Sequence, residues 1–415
     1  MTSETQLTGE VSMNAAFRWL WFGAGAANLG DGLVLTALPL IALSAGASAG
    51  EIALVTTLMT LAWPAFGLHA GWIVDRIPVP RLLVLANAGR VVAVAMLALG
   101  IALEGPVVPL VFAAALVYGI AETLVDTSLI AVIPTVVPPS RLTAANSRME
   151  ATVNVANQLA GPPLAGILVG VSAAVGAVTG SALYALAAVA ALMLVRRVPT
   201  RIRVPEEPRG RVRDGLTFLW RHPLQRDLTL LTAAMNLVWS AWAAVFVVHA
   251  VAPGPLALTP AGYGWLLTAM AAGGIAASLA TNALQRRFGT GVLLFVDCLG
   301  TIALVLPSAL SAELWIVAAG LVIAGAGSSV WRILVAVIRQ QATPPELLGR
   351  AYAASRVISW GALPLGSALA GLLAAVAGVG AALTAASAVA IIVAVAFVPV
   401  WVVRMPHPEP GPADV

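Results

Sequence analysis

Long apolar stretches follow one another along almost the whole chain, separated by short polar segments. A helix needs ~20 apolar residues to span a bilayer. Of the 415 residues, 60% are hydrophobic and 10% are charged, and the mean hydropathy is +0.95, outside the globular range. The sequence therefore predicts an all-α polytopic membrane protein with twelve spans, at about residues 17–44, 53–74, 82–103, 107–133, 150–172, 174–195, 227–251, 262–284, 290–308, 314–338, 356–377 and 380–403.

The basic residues are all arginines, 22 in number, and they alternate with the predicted spans. Every second connection carries arginines, such as Arg76 and Arg81, and the connections between carry none. Basic loops stay in the cytoplasm, so this alternation predicts that both termini are cytoplasmic. The net charge of +4 then reflects cytoplasmic loops beside anionic lipid and not a nucleic-acid surface.

The longest polar stretch divides the chain into related halves. We expect a tail at 1–16, a six-helix bundle at 17–195, a linker at 196–226, a second bundle at 227–403 and a tail at 404–415. Within the linker, residues 214–220 suggest a short amphipathic surface helix. The triplet Leu164-Ala165-Gly166 recurs as Leu369-Ala370-Gly371, 205 residues later. The sequence thus predicts two pseudo-symmetric bundles around a central site.

The loop after the second span carries a family motif. Gly71, Asp75 and Arg76, followed by Arg81, resemble the Gly-x-x-x-Asp-Arg signature of the major facilitator superfamily, although a proline-rich stretch replaces its later glycine. Small residues let helices approach closely, and a carboxylate can cap a neighbouring helix. The resemblance implies the twelve-helix fold and transport by alternating access.

Other segments are similar to one exporter branch, which includes enterobactin exporters and macrolide efflux proteins. They are residues 28–32, 122–126, 339–344 and 348–350. Gly161, Pro162 and Gly166 in the fifth span resemble the superfamily's antiporter motif in a shortened form. These likenesses imply export across a bacterial inner membrane, and they leave the substrate open.

Ionisable groups inside a bilayer need a partner, water or a function. Four are related by the repeat: Arg90 matches Asp297 at an offset of 207, and Asp126 matches Arg332 at 206. One hypothesis pairs Arg90 with Asp126 and Asp297 with Arg332, each inside one bundle. The other pairs Asp126 with Arg332 across the bundles, as a gate.

Two further carboxyls, Asp31 and Glu122, have no evident cationic partner in the sequence. An unpaired carboxyl in a low-dielectric site favours its neutral form and can load and release a proton. Both are therefore candidates for proton coupling. The alternative is that Asn28 and main-chain donors neutralise Asp31 locally.

The resemblance also implies which helices line the cavity and therefore which polar and aromatic residues are candidates for contact with the substrate. Tryptophans there can stack on an aromatic or cationic substrate, and they can equally be packing residues. The candidates are Asn28, Tyr118, Asn236, Trp239, Ser240, Trp242 and Trp331.

Catalytic signals are missing from the sequence. A chain without lysine cannot form a Gly-x-x-x-x-Gly-Lys phosphate loop, and the four histidines show no metal-ligand spacing. We expect no enzyme activity, cofactor or metal, and a monomeric, proton-coupled exporter of a small amphipathic drug or natural product. The alternatives are an uptake symporter or lysophospholipid flippase on the same fold, and a non-transporting receptor or scaffold.

Overall fold

The computed structural model describes residues 15–197 and 212–404. Helices account for nearly all of them. They are α1 (Ala15–Ser44), α2 (Ala49–Arg76), α3 (Val79–Ala102), α4 (Val107–Val136), α5 (Leu142–Val153), α6 (Gly161–Val171), α7 (Ala173–Val195), α8 (Val212–Arg221), α9 (Pro223–Ala250), α10 (Pro260–Phe288), α11 (Thr290–Leu310), α12 (Leu314–Ala342), α13 (Leu348–Ala377) and α14 (Val379–Arg404).

Eleven of these helices are long and apolar enough to cross a membrane, counted over the two described ranges. The predicted fifth span is composite: α5 runs into a π-helical segment, Asn154–Ala160, and then into α6. Pro163 at the start of α6 has no N–H, so the carbonyl of Leu159 lacks its usual intrahelical donor. The Thr268 hydroxyl of α10 donates to that carbonyl instead, at 3.2 Å. With this composite helix included, the predicted twelve spans are present.

Local sequence explains where the second helix of each half begins. Ser48 precedes α2, and its side chain accepts from the Glu51 N–H while the Glu51 carboxylate accepts from the Ser48 N–H, a complete capping box. Thr259 caps α10 by accepting from the Gly262 N–H at 3.1 Å, and Pro260 occupies the first turn. Both caps lie at the membrane face whose connections carry no arginine, called here the arginine-poor face; the opposite one is the arginine-rich face.

The predicted amphipathic helix in the linker is confirmed as α8. Leu219 is fully buried while Trp220 is half exposed. Helix α8 packs on α13, and Arg350 Nη1 lies 3.1 Å from Asp214 Oδ2. The helix thereby connects the linker to the second bundle at the arginine-rich face.

The two halves repeat the same packing. In the first half, α1 packs on α6 and α7, α3 packs on α4 and α7, and α2 packs on α4. In the second, α9 packs on α13 and α14, α11 packs on α12 and α14, and α10 packs on α12. Gly161 approaches Gly32 in the first half, and Gly366 approaches Leu237 in the second. Each residue of the second contact lies 205 positions after its counterpart in the first. The pseudo-symmetric pair of bundles is confirmed.

Two antiparallel seams join the halves. In the first, α2 meets α13 through a 2.9 Å hydrogen bond between the Thr57 and Ser367 hydroxyls. In the second, α6 meets α10 where Gly166 lies against the backbone of Pro260 and Ala261. Small residues at these points allow the helix backbones to approach closely.

The halves share a buried core towards one face only. That core lies at the arginine-poor face and draws on both bundles, including Leu38, Ile52, Phe246, Tyr263 and Ala370. Towards the arginine-rich face each half has its own core, one around Phe17 and the other around Phe397. The bundles therefore share one apolar core at the arginine-poor face, whereas their cores are separate towards the arginine-rich face.

Candidate functional site

A central cavity of about 390 Å³ lies between the bundles. Its volume falls in the range of small-molecule sites. Helices α1, α2 and α6 and the π-helical segment line it from the first half, and α9, α10 and α12 line it from the second. A ligand here would contact both halves at once, which alternating access requires.

The lining is largely apolar, with polar groups at a few points. Arg332 of α12 lies on the cavity wall and is exposed to it, with Ser328 and Ser329 one turn earlier. Across the cavity, the π-helical segment contributes the amides of Asn157 and Gln158. π-Helical turns inside α-helices often occur at functional sites because they present side chains in a different register.

Two of the seven predicted cavity residues line this cavity, Trp239 and Trp242. The other five lie elsewhere. Asn28 donates to the Ala24 carbonyl, Asn236 donates to the Ser359 carbonyl, Ser240 is buried, Tyr118 packs beside Arg90, and the Trp331 indole donates to Thr232.

A second polar cluster lies inside the first bundle. Arg90 of α3 is 1% exposed, and its guanidinium contacts two carboxylates, Asp31 of α1 at 3.2 Å and Glu122 of α4 at short range. The Tyr184 hydroxyl donates to Asp31 at 2.9 Å. Asp31 is adjacent in sequence to Gly32, a cavity-lining residue, so the cluster lies beside the cavity.

The predicted absence of a cationic partner for Asp31 and Glu122 is therefore wrong, and so is the alternative in which Asn28 neutralises Asp31. Arg90 serves both carboxylates. The cluster still contains two acidic groups for one basic group. Burial of net charge is costly, so a single proton held by this cluster would balance it.

The predicted intra-bundle pairs are not formed. Arg90 pairs with Asp31 and Glu122, and not with Asp126. Asp297 is 2% exposed, and its Oδ1 has no hydrogen-bond partner among the described residues. Asp297 packs against Gly327 of α12, on a part of that helix that does not line the cavity, whereas Arg332 does line it. The repeat offset correctly related positions in the two halves but did not determine which side chains meet.

Asp126 does reach across the bundles, but to a different arginine from the one predicted. Its Oδ2 lies 3.9 Å from Arg356 Nη2 of α13. The Arg356 guanidinium also lies 4.0 Å from the Trp63 ring and 4.1 Å from the Trp360 ring, and these two rings meet edge to face at 4.7 Å. This cross-bundle cluster lies in the α2–α13 seam, nearer the arginine-rich face than the Thr57–Ser367 contact.

Arg356→Gln should lower the transport rate by roughly three- to tenfold, because it removes a half-exposed ion pair and two cation–π contacts. Transport by equal amounts of protein in vesicles measures this. Combining Asp126→Arg with Arg356→Asp should restore part of the transport rate that either single change removes. The exchanged side chains can still form an ion pair, but the contacts of Arg356 with the two rings are lost. Rescue by Asp126→Arg with Arg332→Asp instead would favour the gate that the sequence suggested.

The structure describes the motif loop in part and the antiporter-like motif in full. Gly71 and Asp75 lie in α2, but the surroundings of Gly71 and the side chain of Asp75 are not among the described parts of the structure, so their predicted role stays a prediction. Arg76 lies 4.0 Å from the Trp72 ring, and Arg81 is exposed at the start of α3. The antiporter-like residues are at the centre of the bundle contacts: Gly161 meets Gly32, Pro162 meets Gly264, and Gly166 meets Pro260.

Sequence reasoning missed three parts of the site. Arg356 was assigned to a loop because the predicted span began there, but α13 begins two turns earlier. Tyr184 was missed because only charged residues within the spans were considered as members of polar clusters. Three polar residues ahead of two prolines, Asn154, Asn157 and Gln158, were the available sign of the π-helical segment.

Comparisons with known proteins agree with the geometry. The family model of transmembrane secretion effectors matches residues 12–410. An uncharacterized major facilitator-type transporter of Sinorhizobium fredii, y4rN, is 27% identical over 277 residues, which cover 64% of this chain and 65% of that protein. The match thus spans slightly less than two thirds of the relative's length.

Solved structures show the same fold at low identity. A bacterial homologue of the iron transporter ferroportin, in an inward-facing state, has a TM-score of 0.75 and 15% identity, covering 94% of this chain and 99% of that one. The nucleoside transporter NupG has a TM-score of 0.71 and 10% identity, covering 92% and 98%. The family match, the twelve-helix fold and the cavity between the bundles agree: the chain belongs to the transmembrane secretion effector family of major facilitator-type membrane transporters.

Proposed function

We propose that this transporter exports a small amphipathic drug or natural product in exchange for protons. The observation that carries the proposal is the cluster in which Asp31 and Glu122 share Arg90. Its two acids and one base favour binding of a single proton inside the membrane. The Glu122 side chain is 22% exposed and Asp31 only 2%, so Glu122 is the member that exchanges protons with water.

The direction of transport follows from orientation. With the arginine-rich face in the cytoplasm, as the positive-inside rule predicts, the bundles share their core on the outside and have separate cores on the inside. Such a carrier is ready to load from the cytoplasm of a bacterium across its inner membrane. Export is also the direction of the enterobactin exporters and macrolide efflux proteins that several segments resemble. The cavity is lined from both halves of the chain, which is compatible with the monomer expected from the sequence.

A structural link connects proton binding to movement of the bundles. Glu122 of the proton cluster and Asp126 of the cross-bundle cluster are four residues apart, on one face of α4. Protonation of Glu122 weakens its attraction to Arg90 and shifts the local field at Asp126. A ligand that binds the inward-open and outward-open conformations with different affinities shifts the equilibrium between them. Here the proton is such a ligand.

Asp31→Asn should leave a folded protein that no longer couples transport to protons. Asparagine keeps the size of the side chain and can still accept from Tyr184, while the cluster loses its excess acid. In everted vesicles holding a preformed proton gradient, amphipathic compounds identified by a drug-susceptibility panel should dissipate the gradient with wild type and not with the variant. Glu313→Gln, which also neutralises a carboxylate but at an exposed position before α12, is the control.

The same assay separates the alternatives. If the compounds dissipate the proton gradient of Asp31→Asn vesicles at the wild-type rate, Asp31 does not couple transport to protons. Further acidification of wild-type vesicles on addition of the compound would indicate a symporter. Compounds that bind without crossing the membrane would indicate a receptor or scaffold.

A further inference from the structure

We infer that the substrate carries an acidic group, and that Arg332 of the central cavity binds this group. The inference rests on the proposed function, since it assumes that the cavity is the transport site. Arg332 is the charged residue among those that line the cavity, and no acidic side chain lines it in the described part of the chain. The site is therefore positively charged when empty.

The charge of Arg332 is not balanced within the protein. Its repeat-predicted partner, Asp297, packs against Gly327 elsewhere on α12, and the other predicted partner, Asp126, contacts Arg356. No ion pair or hydrogen bond joins the Arg332 side chain to another described residue, although the side chain is exposed in a membrane-spanning helix. An uncompensated charge at membrane depth marks a substrate or ion pathway.

A second donor points to the same chemistry. Trp242 lines the cavity and is 3% exposed, and its indole Nε1–H has no acceptor among the described residues. An indole nitrogen is a donor only, and this one is screened from solvent, so a substrate that reached it on repacking would have to supply an acceptor. The amide of Gln158 donates one N–H to Asn154 Oδ1 at 3.3 Å and has a second N–H to add to the lining. Carboxylate, sulfonate and phosphate oxygens fit such a set.

The other residues that line the cavity indicate the chemistry of the rest of the substrate. Aromatic and aliphatic side chains dominate it, among them Trp239, Tyr263, Met59, Leu267 and Met270. Trp239 and Trp242 meet edge to face at 6.4 Å. In a cavity of about 390 Å³ this surface suits a small aromatic or aliphatic body with one acidic group. Arg332 repels cations, so the cationic substrate considered from the tryptophans alone is disfavoured.

Two fluorescent probes with the same aromatic frame test this inference. They are 1-anilinonaphthalene-8-sulfonate, which carries a sulfonate, and N-phenyl-1-naphthylamine, which lacks it. Binding to purified protein in nanodiscs is followed by energy transfer from tryptophan, with empty nanodiscs as the lipid background. We expect wild type to bind the sulfonate about tenfold or more tightly than the neutral probe, since hydrogen bonds to charged groups are strong.

The variants locate the effect at Arg332. Arg332→Gln should abolish the preference for the sulfonate and leave binding of the neutral probe within about twofold, and Arg332→Lys should keep part of the preference. The matched control is Arg286→Gln, which removes the same charge from the exposed end of α10. Equal binding of the two probes by wild type, failure of the sulfonate to bind, or an unchanged preference in Arg332→Gln would each overturn the inference. None of these results depends on proton coupling, so the proposed antiport is tested separately.

Discussion

Arg90→Met should greatly reduce the amount of folded protein in the membrane and abolish transport. The change leaves Asp31 and Glu122 facing each other without their common cation, in a site where Arg90 and Asp31 are almost fully buried. Breaking a buried ion pair by removing one partner costs about 3–5 kcal/mol. Thermal unfolding of purified protein, together with its yield from membranes, measures the effect.

Matched variants separate charge from packing in this experiment. Adding Asp31→Asn and Glu122→Gln to Arg90→Met should restore much of the thermal stability, because no unpaired charge remains, but it should not restore proton coupling. Arg286→Met, at an exposed position, should be close to wild type in both measurements. If Arg90→Met alone is as stable as wild type, the buried cluster does not hold the first bundle together.

Gly166→Val should also abolish transport, by a different route. A Cβ at Gly166 would lie 2.9 Å from Ala261 Cα and closer still to the Pro260 carbonyl oxygen, and both are backbone atoms of α10 that cannot rotate away. The α6–α10 seam must then separate at the arginine-poor face. We expect the cavity to become accessible from that face.

A cysteine reporter measures the opening of this seam. The single native cysteine, Cys298, is fully buried, so Ala243→Cys in the cavity lining can be labelled selectively. A membrane-impermeant maleimide added at the arginine-poor face should label Ala243→Cys when Gly166→Val is also present. The same reagent should not label Ala243→Cys in protein that keeps Gly166. Gly170→Val, one turn further along α6, is the control, since its Cβ would lie 4.0 Å from Pro260 Cβ. Labelling that does not respond to Gly166→Val would show that this seam does not close the cavity.

Much of the fold was predictable, because lipid imposes strict conditions on a chain. Apolar length fixes the number of spans, and arginine placement indicates their direction. The recurrence of Leu164-Ala165-Gly166 at Leu369-Ala370-Gly371 predicted two related bundles, and the structure uses both glycines at equivalent seams. The π-helical segment was not predictable from periodicity, which cannot reveal one extra residue in a helical turn.

The charged site was predicted only in part, and the reason is geometric. Apolar length assigns a residue to a helix, so Arg90 and Asp126 were correctly assigned to consecutive spans, which are α3 and α4. The direction of a side chain around its helix depends on how the helices pack, and Arg90 faces Asp31 and Glu122. The residues were identified, and their partners were not.

The unpaired Arg332 has an electrical consequence. When the bundles exchange which face they open to, the empty cavity carries a positive charge from one side of the membrane potential to the other. Moving one full elementary charge through 100 mV changes the free energy by ~2.3 kcal/mol. With the cell interior negative, voltage favours the empty carrier with its cavity open to the cytoplasm, whereas a bound monoanion cancels this bias. Voltage steps on reconstituted protein should therefore drive transient charge movements in the absence of substrate, and Arg332→Gln should remove them.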